Sequence, residues 1–141
     1  MKGLSGPLAL LVFAWPLSAA AEKPLLPPCP DSPNCVSSLD PDEARSVEPL
    51  RAGNSRKQAV RQLGQLLDSL PRVEWEQTQP ARLEAEFRSA ILRFVDDVIF
   101  HVHEDGRIDV RSASRVGYWD LGANRRRVER LRGKLEEIGE P

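Results

Sequence analysis

The chain has 141 residues, with 20 basic and 21 acidic side chains, a formal charge of −1 and two cysteines. That length accommodates one domain with one hydrophobic core. The near-neutral balance gives no global field to draw in nucleic acid or an anionic membrane, so any basic function has to be local.

Residues 1–21 read as a cleaved export signal. Lys2 gives a basic start, Leu8 to Leu17 is an apolar run broken only by Pro16, and Ala19-Ala20-Ala21 offers a small-residue cleavage site. The run is shorter than the ~20 apolar residues of a membrane-spanning helix. No integral span is therefore expected in the mature chain; the competing reading is an uncleaved N-terminal anchor. Lipoprotein processing is disfavoured, because Pro27 and Pro28 precede Cys29 where small residues are needed. Cleavage would remove Lys2 from the 20 basic side chains, leaving 19 against 21 acidic ones, formally −2. The expected location is periplasmic or secreted.

Residues 22–54 form a proline-rich entry, in which Pro24, Pro27, Pro28, Pro30, Pro33 and Pro41 exclude helix and central strand. Within it, Cys29-Pro30-Asp31-Ser32-Pro33-Asn34-Cys35 places an even cysteine pair at short range. In an exported protein this reads as a disulfide. A metal pair lacks further ligands nearby, and the spacing is not the C-x-x-C of a redox couple. Val47 to Leu50 suits a short extended piece.

Residues 55–141 carry the α+β domain. Ser55 caps a helix, with Gln58 three residues on completing a capping box. Val60, Leu63, Leu66, Leu67 and Leu70 make its apolar stripe, Gly64 leaves room for close packing on a sheet, and Pro71 ends it. The period then changes to two. Val73, Trp75 and Gln77 alternate with Glu74, Glu76 and Thr78; after a turn at Gln79-Pro80, Leu83, Ala85 and Phe87 alternate with Glu84, Glu86 and Arg88. Ile91 to Val95 reads as a strand end plus a bend, followed by Asp96-Asp97. Val98, Phe100 and Val102 then alternate with Ile99, His101 and His103. Glu104-Asp105-Gly106 is a hairpin signal. A three-residue loop with Gly106 left-handed pairs Val102 with Ile108 and Phe100 with Val110, which gathers the apolar residues on one face; one residue of slip would scatter them. The last helix begins near Asn124 with Val128, Leu131, Leu135 and Ile138 buried. The fold predicted is a two-layer α+β sandwich, order α-β-β-β-β-α. An antiparallel meander of about four strands carries two helices on one face, preceded by the disulfide-closed arm.

The candidate site is Arg111 to Arg127, from a strand end through a glycine-bracketed loop into a helix start. The register puts Ile99, His101, His103, Arg107, Asp109, Arg111 and Arg115 on an open sheet face, with Ala113 leaving space above it, and turns Ser112 and Ser114 toward the helices. Arg125, Arg126 and Arg127 occupy a helix first turn, where the positive end of the dipole favours acids instead. Such an end suits an anion, and arginine forks match carboxylate or phosphate. Arg111, Arg115, Arg125, Arg126, Arg127 and Asn124 are the candidate anion- or partner-binding residues. Asp96, Asp97, Asp120, Ser112, Ser114 and Tyr118 are the candidate supporting network. An internal arginine–aspartate network competes with an external anion as the reading.

Other features carry blander readings. His101 and His103 supply two metal ligands, with Asp109 across the hairpin as a candidate third, but there is no further histidine, and neither a metal nor a cofactor is expected. Asp96 and Asp97, adjacent on a strand, would face opposite ways, which favours partnership with arginine over an acid–base pair. Tyr118 and Trp119 suit anchoring of the loop in the core. Arg125 with Glu129 and Arg132 with Glu136 suit a solvated, ion-paired face. No nucleophile–base–orienter set and no phosphate-binding glycine loop is visible.

Cys29 to Ser38, Phe94-Val95-Asp96-Asp97-Val98 and the Arg111–Arg127 block resemble the three signatures of an uncharacterised family catalogued as domain of unknown function 1499. The resemblance spans nearly all of the mature chain. Trp119 departs from it, replacing a smaller residue, often serine, and the histidines lie outside the pattern. It implies an extracytoplasmic role and carries no activity, substrate or cofactor. The expectation is a monomeric, exported, non-enzymatic module that takes an anionic small molecule or a protein partner through the arginines. One alternative is a hydrolase-like enzyme on an anionic or ester substrate, with Asp96, Asp97 or Asp120 as base. The other is an internally satisfied network with the partner surface elsewhere.

Overall fold

In a computed structural model describing residues 24–139, the sequence periods become eight elements. They are β1 (Cys35–Ser37), β2 (Leu50–Arg51), α1 (Arg56–Ser69), β3 (Val73–Gln79), β4 (Arg82–Arg88), β5 (Val95–Val102), β6 (Arg107–Ser114) and α2 (Ala123–Gly139). The export signal expected over residues 1–21 lies outside the described residues. Among the described residues no helix is long and apolar enough to cross a membrane.

The α+β architecture is as expected, with two additions to the meander β3-β4-β5-β6. The sheet is six-stranded and antiparallel, in the order β1-β6-β5-β4-β3, and β2 also pairs with β6. The arm thus lays two short strands along β6: Cys35–Ser37 against Arg111–Ala113, and Leu50–Arg51 against Arg107–Ile108. They cover a backbone edge that would otherwise offer itself to another chain. Cys29 and Cys35 form the disulfide. Replacing both by serine is expected to lower stability by about 2 kcal/mol from the lost loop constraint alone, read as a lower urea midpoint with an unchanged circular dichroism spectrum at low denaturant.

The β5–β6 hairpin has the three-residue loop. Val102 pairs with Ile108 and Phe100 with Val110, His103 N donates to Arg107 O at 2.8 Å, and Gly106 is left-handed at φ 83°. A Cβ there would sit 2.5 Å from the Gly53 carbonyl oxygen, so glycine is needed for space as well as for conformation. The helices close the apolar face. Val98, Phe100, Val102, Ile108, Val110 and Leu83 pack against Leu63 and Leu67 of α1 and Val128, Leu131 and Leu135 of α2. Gly64 lets the Trp75 ring come close, within 3.0 Å of where a Cβ would stand. At the start of α1, Ser55 Oγ accepts from Gln58 N at 3.3 Å, while Gln58 Oε1 accepts from Asn54 N instead of closing the box on Ser55.

Four local expectations are corrected. Asp109 is not on the wet surface but 1% exposed, because the arm folds over it and Ser38 Oγ donates to its Oδ1 at 3.2 Å. Ala113 leaves no open space, being 8% exposed opposite the disulfide-bonded Cys35 on the same face. Ile138 lies beyond the core and is 39% exposed. Finally, the expected pairs Arg125–Glu129 and Arg132–Glu136 do not form. Arg125 donates to the Ala44 and Ser46 carbonyls, both at 2.9 Å, and Arg132 to the Glu48 and Pro49 carbonyls, both at 2.8 Å, and to Glu129. The polar side of α2 therefore clamps the arm, whose Val36, Val47, Leu50 and Ala52 are also packed into the core.

Candidate functional site

The pleat of β5 sends Asp96 and Asp97 to opposite faces, and each takes an arginine from the Arg111–Arg127 block. On the helix side, Arg127 is buried at 9% exposure, its Nη2 donates to Asp96 Oδ2, and its guanidinium lies 4.9 Å from the centre of the Phe87 ring. On the open face, Arg115 donates to both oxygens of Asp97, at 2.6 and 2.9 Å, and to Glu86 Oε1 at 2.6 Å. The hydrogen bond to Asp97, then that to Glu86, holds the Arg115 pKa above its ordinary value.

Asn124, fully buried, is the hub between them. Its Oδ1 accepts from Ser112 Oγ at 2.6 Å and from Arg127 Nη1 at 2.7 Å. Its Nδ2 faces the Asn34 carbonyl (3.0 Å), Ser114 Oγ (2.9 Å) and Asp120 Oδ2 (2.7 Å), so two hydrogens serve three acceptors. One side chain thereby joins the arm, β6, the loop and α2. Ser112 and Ser114 face the helices and are both engaged in this network.

The positive end of α2 is taken internally. Asp120 accepts from Gly122 N at 2.8 Å and Asn124 N at 2.9 Å. Burial alone would raise its pKa, but these bonds and that from the Asn124 side chain outweigh it and hold the carboxyl below its usual range. Arg126 donates to the Leu121 carbonyl at 2.6 Å. Leu121 is left-handed at φ 55°. Asn34 Nδ2 donates to the Gly117 carbonyl at 2.7 Å, tying the loop to the disulfide segment.

The loop's aromatics do not anchor it in the core. Tyr118 and Trp119 are 70% and 69% exposed, and Tyr118 takes no part in the network. With the loop fixed through polar bonds and Asp120, its apolar side chains are free to project.

Arg111 differs from its neighbours. Its Nη2 reaches only the Pro28 carbonyl at 3.4 Å, its Nε is buried without an acceptor, and burial lowers its pKa more than nearby Asp97 raises it. It lines a trough of about 570 Å³ on the open sheet face with Arg115 and five carboxylates, those of Glu74, Glu76, Glu84, Glu86 and Asp97. Such a field opposes an anion at Arg111.

Two arrangements go beyond the hairpin neighbourhood of His103 and Asp109 that the register signals. Asp109 Oδ2 lies 2.6 Å from His103 Nε2, and its Oδ1 accepts from Ser38. The carboxylate stands between serine and histidine, whereas a general base must touch the hydroxyl it activates. The His101 and His103 rings stand 5.0 Å apart, and burial, then His103, lowers the His101 pKa. Among the described residues no group of three or more His, Cys, Asp and Glu is placed to hold a metal ion.

The second arrangement is a cleft of about 350 Å³ between α2 and the β3–β4 end. Leu70, Val73, Phe87 and Leu131 contribute its apolar side, and Arg72, Arg88, Arg127, Arg130 and Lys134 its charge; no carboxylate lines it. Asp96 neutralises Arg127, and Glu86 partners Arg88 at 3.0 Å. Arg72, Arg130 and Lys134 have no carboxylate partner among the described residues. The five cations of the cleft come from the α1–β3 junction, β4 and α2, which explains why no motif announced them.

No curated protein matches the chain. The model of a family described only as proteins of unknown function, DUF1499, matches residues 25–135. That span takes in the disulfide loop, Asp96, Asp97 and the whole Arg111–Arg127 block, and the chain belongs to this family.

Proposed function

We propose that the protein is an exported, non-enzymatic binding module for an anionic amphiphile, held in the cleft between α2 and the β3–β4 end. The observation that carries this reading is five basic side chains around an apolar floor without a carboxylate among them. A phosphate or carboxylate would meet Arg72, Arg130 and Lys134, and an apolar portion would lie on Leu70, Phe87 and Leu131. Most of the Arg111–Arg127 block then serves as a clasp. Arg115, Arg125 and Arg126 are committed to Asp97, Glu86 or backbone carbonyls. Arg127 links clasp and cleft, since it lines the cleft while held by Asp96, Ser112 and Asn124. Arg111 faces acids. The non-enzymatic part of the reading draws on Ser112 and Ser114 being consumed in structural bonds and on Asp109 separating Ser38 from His103. The export part draws on the disulfide, which persists in oxidising compartments.

The test is a thermal-shift titration with hexyl phosphate, using inorganic phosphate and hexanol as its two halves. At roughly ten times its dissociation constant, hexyl phosphate is expected to raise the midpoint by about 5 °C, and each half by less. The exposed pair Arg130→Glu and Lys134→Glu should remove the response, and Arg111→Ala should keep it. No response to hexyl phosphate, or one that survives the cleft charge reversals and disappears in Arg111→Ala, would contradict the proposal.

A further inference from the structure

Beside the cleft, one end of the sheet carries two apolar loops. Residues 89–94 join β4 to β5, and residues 115–122 join β6 to α2. The loops are tied at their bases: Arg115 N donates to the Val95 carbonyl at 3.0 Å. Ile91, Leu92, Phe94, Val116, Tyr118, Trp119 and Leu121 are all 52–89% exposed. Isolated exposed apolar residues are ordinary, but seven concentrated on two loops at one end are not.

The loops project as tips, and they are held. Ser89 Oγ accepts from Phe94 N at 2.9 Å, and Ser89 N donates to Phe94 O at 2.9 Å. Arg93 and Leu121 are left-handed at φ 53° and 55°, a conformation that costs non-glycine residues energy and is kept only where the surroundings impose it. The Asn34 bond to Gly117 and the Asp120 bonds to the start of α2 fix the second loop.

On the cleft side of the tips the charges are basic. The one carboxylate in the two loops, Asp120, is occupied by α2. Arg93 has no carboxylate partner among the described residues. Ser89, at the base of the first loop, also lines the basic cleft. Apolar tips with Trp and Tyr, beside Arg93 and a basic cleft, match the layering of a bilayer surface. Aromatic rings favour the headgroup level, aliphatic side chains the acyl boundary, and Arg and Lys the anionic phosphates.

We infer that the two loops dock this protein on an anionic phospholipid surface, with the tips entering the interface and a lipid phosphate in the cleft. This rests on the cleft reading above and names the source of its amphiphile. The acidic trough reaches the base of the second loop at Arg115, where Asp97 and Glu86 are paired with that arginine, so the basic contact is made from the cleft side of the tips.

The experiment is hydrogen exchange by mass spectrometry on the full chain, with vesicles of phosphatidylglycerol and phosphatidylcholine, then phosphatidylcholine alone. The apolar stretch Leu8–Leu17 can itself recruit the chain to lipid, so the readout is local. Amides of residues 91–94 and 116–121 should exchange about tenfold more slowly on the anionic vesicles, with little change in β3 or α1. The exposed substitutions Leu92→Ser and Trp119→Ser together should abolish that protection without moving the thermal midpoint, and so should the two cleft charge reversals. Stabilisation by hexyl phosphate without loop protection on vesicles would overturn the membrane inference and leave the cleft reading standing. Protection that rises with protein concentration in the absence of lipid would overturn it in favour of self-association.

Discussion

Arg127→Ala is expected to destabilise the protein by about 3 kcal/mol, because it leaves the half-buried Asp96 carboxylate without its counterion. It also strips a donor from Ser112 Oγ and Asn124 Oδ1 and removes the cation over Phe87. Against a total stability of roughly 5–15 kcal/mol this is a large share. The thermal midpoint should fall by more than about 10 °C. The loss belongs mainly to the stranded partner rather than to the pair. Adding Asp96→Leu to Arg127→Met should therefore recover most of the stability, and a double-mutant cycle in urea measures the difference. An external anion as the main partner of Arg127 predicts otherwise: a modest loss, with Asp96 tolerating its absence.

Asn124→Ala is expected to cost about 3 kcal/mol, since each buried polar group left unpaired costs about 1–3 kcal/mol. The buried Ser112 hydroxyl is left without an acceptor, and the Asn34 carbonyl and one arm of Arg127 each lose one of two partners. Asn124→Asp separates hydrogen bonding from shape. It keeps the size and the Oδ1 acceptor, but it turns a carboxylate oxygen toward the Asn34 carbonyl and Asp120. It should be at least as damaging as alanine at neutral pH. Part of that loss should return on acidification, when the new carboxyl takes a proton and can donate again. Urea midpoints at two pH values test this. Equal losses for the two variants at both pH values would mean that Asn124 contributes bulk rather than hydrogen bonds.

Much of the scaffold was legible because its signals are local. The alternation in Val98–Val102 and Ile108–Val110, with the turn chemistry of Gly106, specifies the hairpin, and one residue of slip would have put apolar side chains in water. The same pleat separates Asp96 from Asp97 and turns Ser112 inward. The site was less legible because it depends on docking between elements. Nothing in the spacing of α2 says that Arg127 meets Asp96 while Arg125 reaches the arm, since that follows from how the helix lies across the sheet. Asp109 alternates like a surface residue and is buried only because the arm crosses it. Tyr118 and Trp119 resemble core anchors by residue type, yet the polar clasp fixes their loop without them. Arg72, Arg130 and Lys134 converge from a helix–strand junction and a helix face, with no motif to mark them.

Mapping hexyl phosphate on the folded protein by backbone amide chemical shifts tests the division into clasp and cleft most directly. The shifting amides should cluster around Arg72, Arg88, Arg130 and Lys134, with those of Arg111 and Arg115 on the open face unmoved. Shifts centred on Arg111 and Arg115, with the α2 cleft silent, would contradict it.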